Sequence, residues 1–222
     1  MVNSLKILIC VFVLAISSLN NISTTEDINI HQLWHNCKLA GVISIEVFNT
    51  AILGYCQIDH LNKKDIITII DFTKPSTEKR FYVIDLINKQ LIYRCFVAHG
   101  KNSGDNYAKK FSNLSGSLES SLGFFLTAET YSGEHGFSLR LEGLEKGIND
   151  NARAREIVIH GAEYVSEEFI KKYGRLGRSW GCPALPVDVS KEIIDQISGG
   201  SCLFIYADNK YYKENSDFLN KK

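Results

Sequence analysis

The sequence lacks an excess of charge of either sign, and it lacks a metal-binding pattern. Its 222 residues include 25 basic and 25 acidic side chains, so no net field would attract nucleic acid or an anionic membrane. Its histidines and cysteines do not stand at the spacings typical of zinc ligands. We therefore expect no zinc site and no nucleic-acid partner.

Only one long apolar run is present, and it lies at the N-terminus. Residues 7–16 are apolar throughout, follow a single lysine and precede small residues. The run is shorter than the roughly 20 residues that cross a bilayer, and turn-forming residues follow it. Residues 1–22 are predicted to be a secretory signal peptide, with an uncleaved membrane anchor as the alternative. The mature protein would then be exported to the periplasm or cell envelope, with no membrane contact beyond the signal.

The number of cysteines indicates which of them can be paired in disulfides. Removal of the signal leaves Cys37, Cys56, Cys95, Cys182 and Cys202. An odd number leaves at least one thiol unpaired in an oxidising compartment, and Cys182 is the candidate for it. The other four could form two disulfides, Cys37–Cys56 among them, or could fill space as small hydrophobic side chains.

The mature chain predicts a helical segment followed by a mainly β domain. Residues 23–62 show helical spacing of apolar side chains, and residues 211–222 form a polar C-terminal tail. Between them, residues 63–210 contain β-branched and aromatic runs typical of strands, interrupted by two peripheral helices. The strands are expected at 66–72, 80–87, 91–99, 122–128, 156–160 and 202–207. The Ser/Asn/Gly-rich stretch 100–122 is expected to be an ordered lid or substrate loop.

Two short segments carry the candidate chemistry. His160 ends an apolar strand and is followed by Gly161, while Gly181 and Pro183 enclose Cys182 in a turn. A cysteine acts as a nucleophile through its thiolate, and a nearby imidazole is the usual means of generating it. A core histidine and a buried structural cysteine are the alternatives. The amide N–H groups around Gly181 are expected to be free to face an oxyanion.

At these residues the sequence resembles the L,D-transpeptidase catalytic domain (YkuD-like) family, in particular its murein L,D-transpeptidase subfamily. The family motif is an HG pair followed by S-x-G-C, which here are His160-Gly161 and Ser179-Trp180-Gly181-Cys182. The likeness extends from about residue 65 to residue 207 and includes residues 97–100, 111–113, 120–123, 141–147 and 177–183. It implies a β-sandwich or barrel-like domain that uses no metal and no organic cofactor.

The resemblance also implies a reaction. Cys182 would be acylated by a peptidoglycan stem tetrapeptide, with His160 as the base and the Gly161 carbonyl orienting the imidazole. A stem amine would then form a 3→3 cross-link. Two rivals remain open, namely hydrolysis of the same thioester as a carboxypeptidase or endopeptidase, and a non-catalytic peptidoglycan-binding module.

Four further residues are candidate substrate contacts. Ser179 and Trp180 belong to the motif beside the cysteine. Many family members carry arginine two residues after the cysteine, where this chain has Ala184. Arg178 could replace it by pairing with a donor carboxylate, or could be a solvated surface charge.

His99, in a second HG pair, could line the cleft, act as the base or be structural. His135 and Arg140 are weaker candidates, expected to be loop or scaffold residues.

Overall fold

The computed structural model describes residues 23–220. The predicted signal peptide lies outside the described residues. Within them, no helix combines the length and the apolar character that crossing a membrane requires.

Eight strands form one sheet. They are β1 (Ile66–Asp71), β2 (Phe81–Asp85), β3 (Gln90–Cys95), β4 (Gly123–Gly133), β5 (Gly136–Gly143), β6 (Val158–Gly161), β7 (Ala184–Leu185) and β8 (Cys202–Tyr206). Their order in the sheet is β3-β2-β1-β8-β4-β5-β6-β7. The pairs β1–β8 and β6–β7 are parallel, and the other neighbours are antiparallel. Beyond β3, Ala98 pairs with Ala184 of β7, so the two edges meet and nearly close a barrel. The predicted mainly β class is confirmed.

In the described part of the chain, six helices pack around the sheet. They are α1 (Ser23–Asn36), α2 (Ile45–Tyr55), α3 (Glu167–Tyr173), α4 (Val187–Ile197), α5 (Lys210–Asn215) and α6 (Asp217–Asn220). Ser166 caps α3 by accepting a hydrogen bond from the Phe169 N–H, and Gly174 ends the helix in the left-handed conformation. Both expected peripheral helices, α3 and α4, are therefore present.

The terminal segments share the core of the sheet. Phe48 and Ile52 of α2 are buried in the same hydrophobic cluster as the residues of β1 and β8. At the other end, Tyr212 of α5 is buried, and the Phe218 ring stacks on Phe124 with centroids 4.8 Å apart. The C-terminal residues were expected to be a polar tail, and instead their aromatic side chains complete the core.

One cysteine expectation is wrong. Cys37 carries a free, buried thiol, so the Cys37–Cys56 bridge does not form. Burial raises the pKa of Cys37 to about 11 and that of Cys95, another buried free thiol, to about 12. These two thiols therefore act as small hydrophobic side chains.

The alternation of side chains along β6 and β7 determines where the site lies. Ile159 and Leu185 belong to the main core, whereas Ala162 and Ala184 belong to a smaller cluster on the opposite face. Because side chains alternate along a strand, His160 shares that second face. The register pairs His160 with Ala184, two residues after the candidate nucleophile.

Candidate active site

The Cys182 thiol is partly exposed and lies against the start of β6. Its sulfur accepts a hydrogen bond from the Val158 N–H at 3.5 Å, and its S–H points to the Glu156 carbonyl at 3.7 Å. Glu156 has a left-handed backbone, with φ of 57°, which is uncommon for a residue other than glycine. Burial raises the pKa of the Cys182 thiol, while the Val158 N–H lowers it. Burial thus favours the protonated form of this candidate nucleophile.

Ser179 holds the turn that presents the cysteine. Its hydroxyl donates to the Cys182 carbonyl at 2.6 Å and accepts from the Gly181 N–H at 3.1 Å. The φ of Gly181 is 131°, and a Cβ atom there would lie 2.9 Å from the Glu119 carbonyl oxygen. Only glycine therefore suits this position.

These contacts correct two expectations. The Gly181 N–H is already bonded to Ser179, so it is not free to face an oxyanion in this conformation. Ser179 itself is buried, and its hydroxyl is used within the turn. In this structure both residues hold the turn that carries Cys182.

Arg155 supports the same turn and was missed by the sequence analysis. Its guanidinium donates to the carbonyls of Ser112 (2.6 Å) and Glu119 (2.7 Å), and to the hydroxyls of Ser121 (2.6 Å) and Ser117 (3.2 Å). Its Nη2 atom would lie 3.5 Å from a Cβ atom on Gly181. Its positive charge lowers the pKa of the Cys182 thiol, against the effect of burial. Arg155 therefore ties the 112–121 segment to the cysteine turn.

His160 is held by the neighbouring backbone. Its Nδ1 lies 3.0 Å from the Gly161 carbonyl oxygen. A carbonyl can only accept, so Nδ1 carries the proton and Nε2 is the basic atom of the neutral ring. Burial lowers the pKa of His160, and the Gly161 carbonyl acts in the opposite direction. The Gly161 carbonyl thus has the position expected for the group that orients the imidazole.

His135 covers the imidazole from the tip of the β4–β5 hairpin. The rings of His135 and His160 are stacked, with centroids 4.6 Å apart and planes at 24°. His135 is exposed, whereas His160 is only 4% exposed. His135 also lowers the pKa of His160, by less than burial lowers it and by less than the Gly161 carbonyl raises it. A residue expected to be scaffold therefore lies directly on the candidate base.

Cys182 stands on the turn just before β7, and His160 stands on the neighbouring strand β6. Cys182 contacts Val158, and His160 stands two residues further along β6 on the same face. Within the described residues the partners of the thiol are Val158 and Glu156, so no hydrogen bond joins it to His160 in this state. Catalytic hydrogen bonds often form only in the substrate complex.

Comparison with known proteins identifies the family. Residues 40–206 match the L,D-transpeptidase catalytic domain family. The chain belongs to the L,D-transpeptidase catalytic domain family. The match begins before α2, so it includes that helix together with the sheet. A search of curated proteins gave no match.

Several solved structures are similar to this L,D-transpeptidase domain. An L,D-transpeptidase from Mycobacterium smegmatis is 15% identical, with a TM-score of 0.40, covering 64% of this chain and 59% of its own. A variant of the helical cell shape determining protein Pgp2 from Campylobacter jejuni is 15% identical, with a TM-score of 0.42, covering 68% and 50%. An L,D-transpeptidase from Stackebrandtia nassauensis is 11% identical, with a TM-score of 0.38, covering 92% of both chains. The chain thus spans about three fifths of the first of these and half of the second.

In this L,D-transpeptidase domain, His99 is structural. Its side chain is fully buried, and its Nδ1 accepts from Arg80 Nη2 at 2.8 Å, which leaves its Nε2–H to the Gly104 carbonyl at 3.4 Å. Burial and the nearby Arg80 charge lower the pKa of His99 to about 3. Its backbone carbonyl accepts from the Ser179 N–H at 3.0 Å. The buried His99 side chain therefore neither lines the cleft nor acts as the base. The residue supports the cysteine turn through its backbone carbonyl.

Of the other two predicted substrate contacts, Arg178 is used within the fold and Trp180 is exposed. Arg178 pairs with Asp105 at 3.3 Å and donates to the Gly104 carbonyl at 3.2 Å. It therefore anchors the loop that contains these two residues and is not free for a substrate carboxylate. Trp180 is 77% exposed beside the nucleophile, which suits a substrate contact. Among the described residues, no group of three or more His, Cys, Asp or Glu side chains could hold a metal ion.

Proposed function

We propose that this protein is a cysteine L,D-transpeptidase that acts on peptidoglycan stem tetrapeptides through a thioester on Cys182. The observation that carries the proposal is the placement of the half-buried Cys182, whose sulfur lies against the Val158 N–H, beside the oriented imidazole of His160 two residues further along β6. The thiol stands on a turn fixed by Ser179, and the basic Nε2 atom of the imidazole is not used by its own backbone. Membership of the family supports the choice of substrate. Action on this substrate requires export, in agreement with the predicted signal peptide.

Acylation is the first half-reaction. The Cys182 thiol gives its proton to His160, and the sulfur attacks the carbonyl carbon between the third residue of the donor stem and its terminal D-alanine. The C–S bond forms, the C–N bond breaks, and the departing amine takes the proton from the imidazolium. The products are a thioester and free D-alanine. Because burial disfavours the thiolate, the thiol passes its proton to His160 in the same step in which the sulfur attacks the carbonyl carbon.

Transfer is the second half-reaction. The amine of a second stem attacks the thioester carbonyl, and His160 accepts its proton. The C–N bond forms, the C–S bond breaks, and the proton passes to the leaving thiolate. The product is a 3→3 cross-link, whereas attack by water gives a tripeptide.

Mass analysis of products from purified protein and tetrapeptide muropeptides tests the proposal. We expect cross-linked dimers, with release of D-alanine, and loss of both in Cys182→Ser and His160→Gln. Cys37→Ala is the matched control, because its thiol is also free but buried in the hydrophobic core. Tripeptides alone would indicate a hydrolase. Binding of muropeptides without any turnover would indicate a binding module and would refute the proposal.

A further inference from the structure

Among residues 23–220, Arg155 is a half-buried cation without an ion-pair partner. It lies three residues before the start of β6. None of the salt bridges in this part of the chain includes it. Burial lowers the pKa of Arg155, whereas Cys182 and, less strongly, Glu119 raise it. A half-buried charge is screened less by water and salt than an exposed one, so it acts more strongly on its neighbours.

The segment 112–121 fixes the position of this charge. The Nη1 atom of Arg155 donates to the Ser112 carbonyl and to the Ser121 hydroxyl, both at 2.6 Å. Its Nη2 atom donates to the Glu119 carbonyl at 2.7 Å and to the Ser117 hydroxyl at 3.2 Å. Four acceptors from one short segment hold the planar guanidinium in a single orientation. The segment was expected to be a lid or substrate loop, and these bonds make it a fixed wall.

The guanidinium also lies against the turn that carries the nucleophile. A Cβ atom on Gly181 would stand 3.5 Å from Nη2 of Arg155 and 2.9 Å from the Glu119 carbonyl oxygen. The Gly181 carbonyl accepts a hydrogen bond from the Ser120 hydroxyl at 3.0 Å. Gly181 directly precedes Cys182, and its lack of a side chain lets the guanidinium approach the backbone of the turn. The wall, the cation and the nucleophile therefore form one connected unit.

The other ionisable groups around Cys182 supply no comparable positive charge. Glu156 raises the pKa of the Cys182 thiol, whereas Arg155 lowers it. The pKa of Tyr164 is raised to about 12 by burial and by Cys182, so its hydroxyl is uncharged at neutral pH. Burial lowers the pKa of His160 and so favours the neutral imidazole. The groups on the elements around the thiol are Glu119, Arg155, Glu156, His160, Tyr164 and Arg178, and the charge of the last is paired with Asp105.

We propose that Arg155 is a positioning residue for the nucleophile, which holds the segment 112–121 against the cysteine turn and favours the thiolate of Cys182 over the thiol through its charge. The inference rests on the proposed function, because Arg155 acts on the reaction only through Cys182. A buried sulfur favours its protonated form, and a fixed cation nearby opposes that preference. Transfer of the thiol proton to His160 then costs less free energy, so acylation is faster.

The pH dependence of Cys182 alkylation by iodoacetamide, followed on the Cys182 peptide by mass spectrometry, tests the role of the charge. Arg155→Gln should raise the apparent pKa of alkylation by about one pH unit and slow alkylation at neutral pH about tenfold, because a close opposite charge is lost. Arg155→Lys keeps the charge without the planar fork, so it should reduce stability with little change in this pKa. Arg153→Gln is the matched control, because Arg153 is exposed and its charge is paired with Glu129 and Glu142.

A second pair of variants keeps Arg155 and its fold. Ser117→Asp places a carboxylate beside Nη2 and should raise the apparent pKa of Cys182 alkylation, whereas Ser117→Asn has the same size without the charge and should leave it unchanged. This pair tests the charge even where Arg155→Gln does not fold.

The outcomes separate this inference from the proposed function. If Arg155→Gln matches Arg153→Gln, or Ser117→Asp matches Ser117→Asn, the charge of Arg155 does not act on the thiol and the inference is wrong. It is equally wrong if Arg155→Lys moves the pKa as far as Arg155→Gln does, because the effect would then be structural. If the unsubstituted protein makes no product from muropeptides, the proposed function fails, and the alkylation profiles alone decide the role of Arg155.

Discussion

Replacement of Ser179 by alanine tests whether the cysteine turn is held as the structure indicates. The substitution removes two hydrogen bonds, and it leaves the Gly181 N–H and the Cys182 carbonyl without their partner in a buried turn. An unsatisfied buried polar group costs about 1–3 kcal/mol, so the free energy of unfolding should fall by about 2–4 kcal/mol. The loosened turn should also slow acylation of Cys182, because the sulfur is no longer fixed against β6.

Urea unfolding and the rate of thiol acylation measure the two effects. Ser132→Ala is the matched control, because Ser132 is exposed on β4, and it should change the stability by less than about 0.5 kcal/mol. If Ser179→Ala matches this control in both stability and acylation rate, the turn is not maintained by the serine hydroxyl, and the reasoning is refuted.

Three further predictions follow from buried or crowded groups. His99 stays neutral in the folded protein down to about pH 3, whereas in the unfolded chain it binds a proton below about pH 6.5. Between these values the free energy of unfolding should therefore fall by about 1.4 kcal/mol for each unit by which the pH is lowered. Urea titrations should show a smaller fall in His99→Gln. His135→Ala removes the ring that stacks on His160, so it should raise the pKa of His160. His135→Phe keeps a stacked ring without the charge and should raise that pKa less. An NMR titration in which neither variant changes the pKa of His160 would contradict the contact between the two histidines. Gly161→Ala should destabilise the fold by about 1–3 kcal/mol, because its Cβ would lie 2.5 Å from Ser190 Oγ, and adding Ser190→Gly should recover much of the loss in thermal unfolding.

Local patterns in the sequence were sufficient for most of the fold. The helix caps at Ser166 and Gly174 have local signals, and the apolar runs that became β1, β2 and β8 are buried strands, as their β-branched content indicates. β5 was not predicted, although Phe137, a half-buried residue, and the buried Leu139 and Leu141 alternate along it. The second half of β4 was also missed, because its residues are polar and only half-buried, so no apolar run marks them.

The candidate site was predictable only where a motif carries it. His160 and Cys182 stand in recognisable local contexts, whereas Arg155 contacts the segment 112–121 through bonds between residues far apart in the chain. No periodicity or turn signal marks such a residue. For the same reason His135 was expected to be scaffold, because only the antiparallel pairing of β4 and β5 brings the hairpin tip over the imidazole.

Intact-protein mass spectrometry after incubation with a carbapenem tests most directly whether Cys182 is the nucleophile. We predict one covalent adduct on the parent protein and on Cys37→Ala, none on Cys182→Ala, and adduct formation slowed about 100-fold or more in His160→Gln. An adduct that persists in Cys182→Ala, or a rate unaffected by the loss of His160, would contradict the assignment of these two residues as nucleophile and base.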